Sequence, residues 1–167
     1  PLPPRNLRPM PAPLVVLNVV GLSRGLLGPR MPRLSAWAAK RHVHSIAPML
    51  PAVTCSVQST YLTGRTPSDH GIVGNGWFDR DLAEVHFWKQ SNHLVHGEKL
   101  WSTLRRREPE AITANLFWWY AMYSGADVTV TPRPCYPADG RKIPDVWTNP
   151  PELRDRLQRE LGMFPLF

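Results

Sequence analysis

The longest apolar stretch lies near the start of the chain: Leu14-Val15-Val16-Leu17-Asn18-Val19-Val20, with Asn18 its one polar residue and Gly21 its end. A β-branched run without alternation is the pattern of a strand covered on both faces, as in a central parallel strand. Leu34, Trp37, Ala38 and Arg41 recur at helical spacing and predict an amphipathic helix over residues 33–41. Val43 to Ala47 reads as a second strand, and Pro48 and Pro51 bracket a loop. Thr54 to Thr63 predicts a helix, with Thr54 at the N-cap position and Gly64 where a left-handed residue closes the last turn. Residues 65–80, rich in Gly, Asp, Asn and Pro, read as loop. Glu98 to Arg107 predicts a helix and Ala111 to Phe117 a strand.

The last element follows local rules most closely. Asn149 can cap it, Pro150 and Pro151 suit a first turn, and Glu152 stands three residues after the cap. Leu153, Leu157 and Leu161 line one face, and Glu152–Arg156, Asp155–Arg159 and Arg156–Glu160 are i,i+4 pairs ahead of Gly162. Strands alternating with helices predict an α/β layer fold with a mostly parallel sheet. No internal repeat is present.

Composition narrows this picture. At 167 residues with 43% apolar content, the chain can bury a sizeable core. Nineteen prolines favour a loop-rich protein. The net charge of +7 suits an anionic partner, yet the basic residues are scattered and only Arg105-Arg106-Arg107 forms a run, which reads as a solvated helix face. A nucleic-acid binder would rest on that charge alone, so no specific nucleic-acid partner is expected. Cys55 and Cys135 make neither a disulfide framework nor a zinc spacing. No stretch approaches the ~18 apolar residues of a membrane span, so no membrane partner is expected. No secretory signal is visible, which leans towards the cytoplasm. Residues 1–13 read as an extended Pro-rich arm without an initiator Met, and the chain ends on Met163-Phe164-Pro165-Leu166-Phe167. Both ends lead us to expect the N-terminal part of a longer catalytic domain, spanning 14–167 here.

The chemistry concentrates in Pro51-Ala52-Val53-Thr54-Cys55-Ser56, then Thr63-Gly64-Arg65-Thr66-Pro67-Ser68-Asp69-His70-Gly71-Ile72, then Gly74-Asn75. A hydroxyl at a helix N-terminus sits among unpaired backbone N–H groups and the positive end of the helix dipole, which favour a bound phosphate. A threonine hydroxyl is a weak nucleophile until a base or a metal activates it. No Ser/His/Asp partner set is fixed by the sequence, which leaves metal activation as the simpler demand.

These segments resemble the nucleotide pyrophosphatase/phosphodiesterase family of the alkaline phosphatase superfamily. That family has a Pro-x-x-Thr nucleophile segment, a Thr-Gly-x-x-Pro-x-x-His-Gly-Ile loop and an Asn about three residues on. The residues above match in order and spacing. The resemblance extends more loosely over residues 14–167, and the stretches around Phe87-Trp88-Lys89-Gln90, Phe117-Trp118-Trp119-Tyr120 and Tyr136 to Lys142 look like a bacterial subgroup of uncertain substrate. It implies an alkaline-phosphatase-like sandwich around a mostly parallel sheet, incomplete in this chain. It implies hydrolysis of a phosphodiester or pyrophosphate bond in a small phosphorylated substrate such as a nucleotide. Two divalent ions, zinc in the family, would activate Thr54, which forms a phospho-threonine intermediate, and Asn75 would hold a non-bridging oxygen.

The first strand of the family ends in Asp-Gly, the Asp being a metal ligand, whereas Val20 precedes Gly21 here. Asn18, on the same side of that strand, is the candidate replacement ligand. The family's remaining Asp and His ligands have no clear equivalents in residues 81–167, so this chain alone is expected to be inactive.

Plainer roles compete for each residue. Thr54 can be only an N-cap, Asn75 only a turn residue between glycines, and Asn18 only a buried amide bonded to backbone. His70 reads as structural support. The Phe117–Tyr120 cluster can form a substrate wall or simply pack. Arg141-Lys142 can bind a distal phosphate or decorate a turn. Two other functions stay open: a phosphomonoester, phosphonate or sulfate ester hydrolase of the same superfamily, and a degenerate phosphate-binding module without turnover.

Overall fold

A computed structural model describes residues 13–165, so most of the predicted Pro-rich arm lies outside the described residues. The chain forms two compact units, one ending at Ala47 and one beginning at Pro48.

In the first unit, helix α1 spans Pro32–Ala38, with Pro at its first position where a missing N–H costs nothing. It is shorter than the periodicity predicts, since residues 39–40 form a turn. The two expected strands do not form. Residues 14–19 pair with no described strand, and their apolar side chains are exposed, from 54% at Val19 to 84% at Leu14. Val43–Ala47 is likewise without strand pairing. An apolar run encodes a preference for burial, but a strand exists only where a neighbour completes its ladder.

The second unit carries the remaining elements. Helix α2 spans Thr54–Thr63 and closes on Gly64 at φ 66, as predicted. The following stretch, read as loop, contains the short helix α3, Pro67–His70, whose Thr66 and Asp69 form a capping box. Strands β1 (Gly76–Asp79) and β2 (Glu84–Phe87) then pair as an antiparallel hairpin. Asp79 Oδ1 accepts from the Asp81 and Leu82 amides and holds the connecting turn.

Helix α4, Leu100–Arg107, follows. The basic run at its end is not simply solvated: Arg105 donates to Asp127 at 2.8 Å and to the Gly125 carbonyl, and Arg106 pairs with Glu98. Strands β3 (Ala114–Leu116), β4 (Val128–Pro132) and β5 (Val146–Asn149) form a sheet in that order. Only β3 and β4 are parallel; β5 is antiparallel to β4. The expected mostly parallel sheet is therefore not what the described residues form. The reason lies in residues 133–145, where Pro134, Pro137 and Pro144 preclude a crossover helix and a Cys135–Ile143 bridge folds the chain back as a long hairpin.

Helix α5 spans Glu152–Leu161. Asn149 does not cap it; that residue ends β5 and donates to the Ala126 carbonyl. The N-cap is Pro151, and Thr148 Oγ1, from the end of β5, accepts from the Arg154 amide of the first turn at 3.1 Å. Arg154 grips Asp145 through Nε and Nη2 at 2.9 and 2.7 Å and fastens the helix to the start of β5. Of the predicted i,i+4 pairs, Arg156–Glu160 forms, at 2.9 Å. The chain is thus a mixed α/β protein whose second unit is centred on Cys55, Ile72, Val95 and Tyr120, with Trp77, Leu94 and Trp119 packed around them.

Candidate functional site

The site starts from the geometry of α2. Its N-cap is Val53, not Thr54, and no side chain caps it. Thr54 is the first helical residue, half-buried, and its hydroxyl makes no hydrogen bond among the described residues. The cap reading of Thr54 is thereby removed: its hydroxyl is not engaged in holding the helix. The preceding loop is fixed by Ser56 Oγ, which donates to the Pro51 carbonyl at 2.8 Å and approaches the Val53 carbonyl at 3.2 Å.

Asn75 comes to the same helix end. Its Oδ1 accepts from the Cys55 amide at 3.0 Å, across 20 residues of sequence. An amide whose oxygen is held in this way has its Nδ2 as the remaining, donating end. The hairpin sets the position of Asn75, because its carbonyl accepts from the Trp88 amide at 3.0 Å, one step beyond the Gly76–Phe87 pair. Gly76 is required there: a Cβ would fall 2.5 Å from a Phe87 ring carbon.

Cys55 stands next to Thr54 but is a poor rival nucleophile. Its thiol is fully buried, and burial pushes it up to about 12. Its polar neighbour is the Tyr120 hydroxyl, itself buried and raised by the same desolvation, and the two touch without meeting hydrogen-bond geometry. Gln58, one turn further along the same buried face, ties α2 down, its Oε1 accepting from the Trp119 amide at 2.7 Å.

His70 is structural. Its Nδ1 accepts from the Ile72 amide at 3.1 Å, so Nε2 carries the proton and donates to Thr60 Oγ1 at 2.9 Å, which in turn donates to Met49 Sδ. Burial lowers its pKa, keeping it neutral. Asn18 is exposed in the first unit and makes no side-chain hydrogen bond among the described residues, so the buried-amide role is not met either. Arg141 folds onto its own turn through Asp139 at 2.7 Å.

Sequence reasoning missed Gln58; it singled out the Phe117–Tyr120 cluster and the stretch with Trp88, but not the contacts Tyr120 and Trp88 make. Gln58 carried a signal, being polar on the buried face of α2. The Cys55–Tyr120 and Asn75–Trp88 contacts join distant segments and leave no local mark.

The donor set at Thr54 and Asn75 is a neutral hydroxyl and a neutral amide. No three His, Cys, Asp or Glu residues gather as a metal-ligand group among the described residues. These residues do not by themselves fit a divalent ion, whose ligands include anionic or imidazole donors. Two shallow clefts, of about 340 Å³ beside Asp145 and Arg154 and about 390 Å³ beside Tyr123 and Trp147, include neither Thr54 nor Asn75. What the start of α2 offers is a threonine hydroxyl and amide without partners among the described residues, and an Asn75 side chain held at the same helix end through its Oδ1. Among the described residues, no helix is long and apolar enough to cross a membrane.

No curated protein and no solved structure gives a significant match to the chain. The family model for type I phosphodiesterase / nucleotide pyrophosphatase matches residues 14–164, which include α2, its free threonine and the Asn75 that meets it, and the chain belongs to that family.

Proposed function

We propose that this chain carries the nucleophile half of a phosphodiester or pyrophosphate hydrolase, with Thr54 attacking phosphorus and passing through a phospho-threonine. The observation that supports this most is the convergence of the Thr54 hydroxyl, which has no structural task, with Asn75, whose amide oxygen is held by the Cys55 amide. The Thr54 amide at the start of α2 has no acceptor among the described residues and would receive a phosphoryl oxygen. Asn75 Nδ2 would donate to a non-bridging oxygen as charge develops there. Thr54 Oγ1 would form the new P–O bond as one ester oxygen departs in line and takes up a proton, leaving a phospho-threonine that still carries the other ester group; water would then release the phosphate monoester and restore the hydroxyl.

The substrate class we propose is a nucleotide-like phosphodiester, in keeping with the family. The alkaline-phosphatase-like sandwich is likewise part of the proposal, the described strands supplying only a portion of it. Divalent metal ions belong to it as a requirement met by ligands outside the described residues. Thr54→Ala is expected to lower kcat/KM for a 4-nitrophenyl phosphodiester by about 1000-fold or more with the thermal transition unchanged. Retained activity would refute the assignment.

Val20, standing where the family has its ligand Asp, favours a second reading: a module that binds phosphate esters without turning them over. Saturable phosphate binding with no metal-stimulated hydrolysis in the whole protein would select it.

A further inference from the structure

The second unit holds another concave place, away from Thr54. β3 leads into Phe117–Tyr120, and Tyr120 packs with Cys55 beside Thr54. Because β4 is parallel to β3, the chain then returns along the sheet to the start of β4. There, Tyr123, Ser124, Gly125, Thr129, Trp147 and Asn149 line a cleft of about 390 Å³. Thr129 is the second residue of β4, Asn149 is the last of antiparallel β5, and the two are partners in register. The cleft therefore lies at the opposite end of the sheet from the segment that reaches Cys55. Its aromatic side is held firmly. Met122 is bonded in both directions, its amide to the Gln90 carbonyl at 3.2 Å and its carbonyl to the Asn92 amide at 2.8 Å. The next residue, Tyr123, lies in the left-handed region at φ 59, which a bulky side chain seldom adopts, and such strain gathers at functional sites. The Tyr123 ring is 58% exposed and stands edge-on to Trp147, at 5.3 Å between centroids and 67°. Two rings at that angle form an apolar corner.

The polar side of the cleft is uncharged. Ser124 and Thr129 are buried, with their hydroxyls 3.3 Å apart. Asn149 Nδ2 is engaged by the Ala126 and Asp127 carbonyls at 3.3 and 3.4 Å, which leaves Oδ1 as the accepting end. Beside Thr129 in register, Asn115 of β3 is 4% exposed, and neither atom of its amide is bonded among the described residues. Buried amides are seldom left so, which marks this layer as one that accepts a further polar group. Arg105, which reaches the Gly125 carbonyl, is paired with Asp127 at 2.8 Å.

We propose that this cleft is a second ligand site and binds a neutral pyranose ring with equatorial hydroxyls. The C–H face of such a ring packs into the Tyr123–Trp147 corner, while its hydroxyls exchange hydrogen bonds with Ser124, Thr129 and Asn149 Oδ1. The chemistry excludes the alternatives. An anion meets no charged lining residue, and an aliphatic or purely aromatic ligand would leave the buried hydroxyls without partners at a cost in affinity. A ring with apolar faces and a polar rim satisfies both sides of the cleft, whose size falls within the roughly 300–1,000 Å³ of small-molecule sites.

The test is an NMR titration of the full chain with methyl β-D-glucopyranoside, followed at the Trp147 indole N–H and the Thr129 amide. Both signals should shift saturably at millimolar concentration, the affinity expected of so small a neutral ligand in an open cleft. Sorbitol, a polyol without a ring face, should leave them in place. Trp147→Ala should weaken binding, read at Thr129, by about 10-fold or more, the scale of one lost ring contact. Thr129→Val, which keeps nearly the same shape without the hydroxyl, should weaken it by about 5-fold, the scale of one hydrogen bond. Should Trp147→Ala lose its fold, Tyr123→Ala at the exposed turn decides in its place. No saturable shift in the wild type, an equal response to sorbitol, or variants that bind like the wild type would each overturn the proposal. The readout is binding at the far end of the sheet, so it is separate from the hydrolase reading, which stands or falls on turnover by Thr54.

Discussion

At the scale of single residues, the account turns on which end of the Asn75 amide is free. Oδ1 is taken by the Cys55 amide, so Nδ2 is the functional end. Asn75→Asp preserves the acceptor towards Cys55 but replaces the donor with a carboxylate facing the phosphate. It should fold like the wild type and lower kcat/KM by about 100-fold or more, the scale of removing one oxyanion donor; a Tm within a degree or two of the wild type with near-normal turnover would contradict the role. His70 gives a pH prediction. Its folded pKa lies below the ordinary 6.5 because it is buried, so the unfolded chain takes up the proton first. The stabilising contribution is whole above pH 6.5 and fades as pH falls below it. The thermal transition should therefore drop on acidification from pH 7.5 to 5.5 more steeply in the wild type than in His70→Gln. Equal slopes would show that His70 does not titrate in this way.

At the scale of elements, legibility followed locality. α2 was readable because Gly64, which closes it, obeys a rule that spans a few residues. The family segments pointed to Thr54 and Asn75, but the Cys55–Asn75 bond that brings Asn75 to the start of α2 spans 20 positions and no spacing displays it. The β1–β2 hairpin was missed because four-residue strands around an Asp79 turn carry too little alternation to stand out from loop. The cap of α5 was misplaced by two residues: the N-cap is Pro151, Asn149 is drawn into the sheet, and Thr148 bonds the first turn from outside the helix. Thr148→Val should therefore cost about 1 kcal/mol in chemical denaturation, whereas Asn149→Ala should leave the cap itself intact. The reverse ranking of the two variants would restore the sequence-based assignment.

At the scale of the whole molecule, the α/β class and the family were legible, and the sheet was not. Alternation of strands and helices suggested parallel crossovers, but the prolines of residues 133–145 return β5 as a hairpin. The run Leu14–Val20 shows the limit most clearly, since its composition asks for burial and its residues are exposed. Hydrogen exchange on the chain should find the amides of residues 14–20 fast and those of 54–63 protected. Slow exchange over 14–20 would mean that the run is paired after all. The metal requirement is also read at this scale: dialysis against a chelator should abolish turnover by the complete protein and added zinc should restore it, while full activity in chelator would remove metal from the account.

The most direct test of the central claim is to mix the protein with a 4-nitrophenyl phosphodiester, quench in acid and map phosphorylation by mass spectrometry. The account predicts a substrate-dependent phosphate ester on Thr54 that still carries the retained substituent of the substrate, absent from Thr54→Ala. Turnover without any label there, or label on another residue, would contradict it.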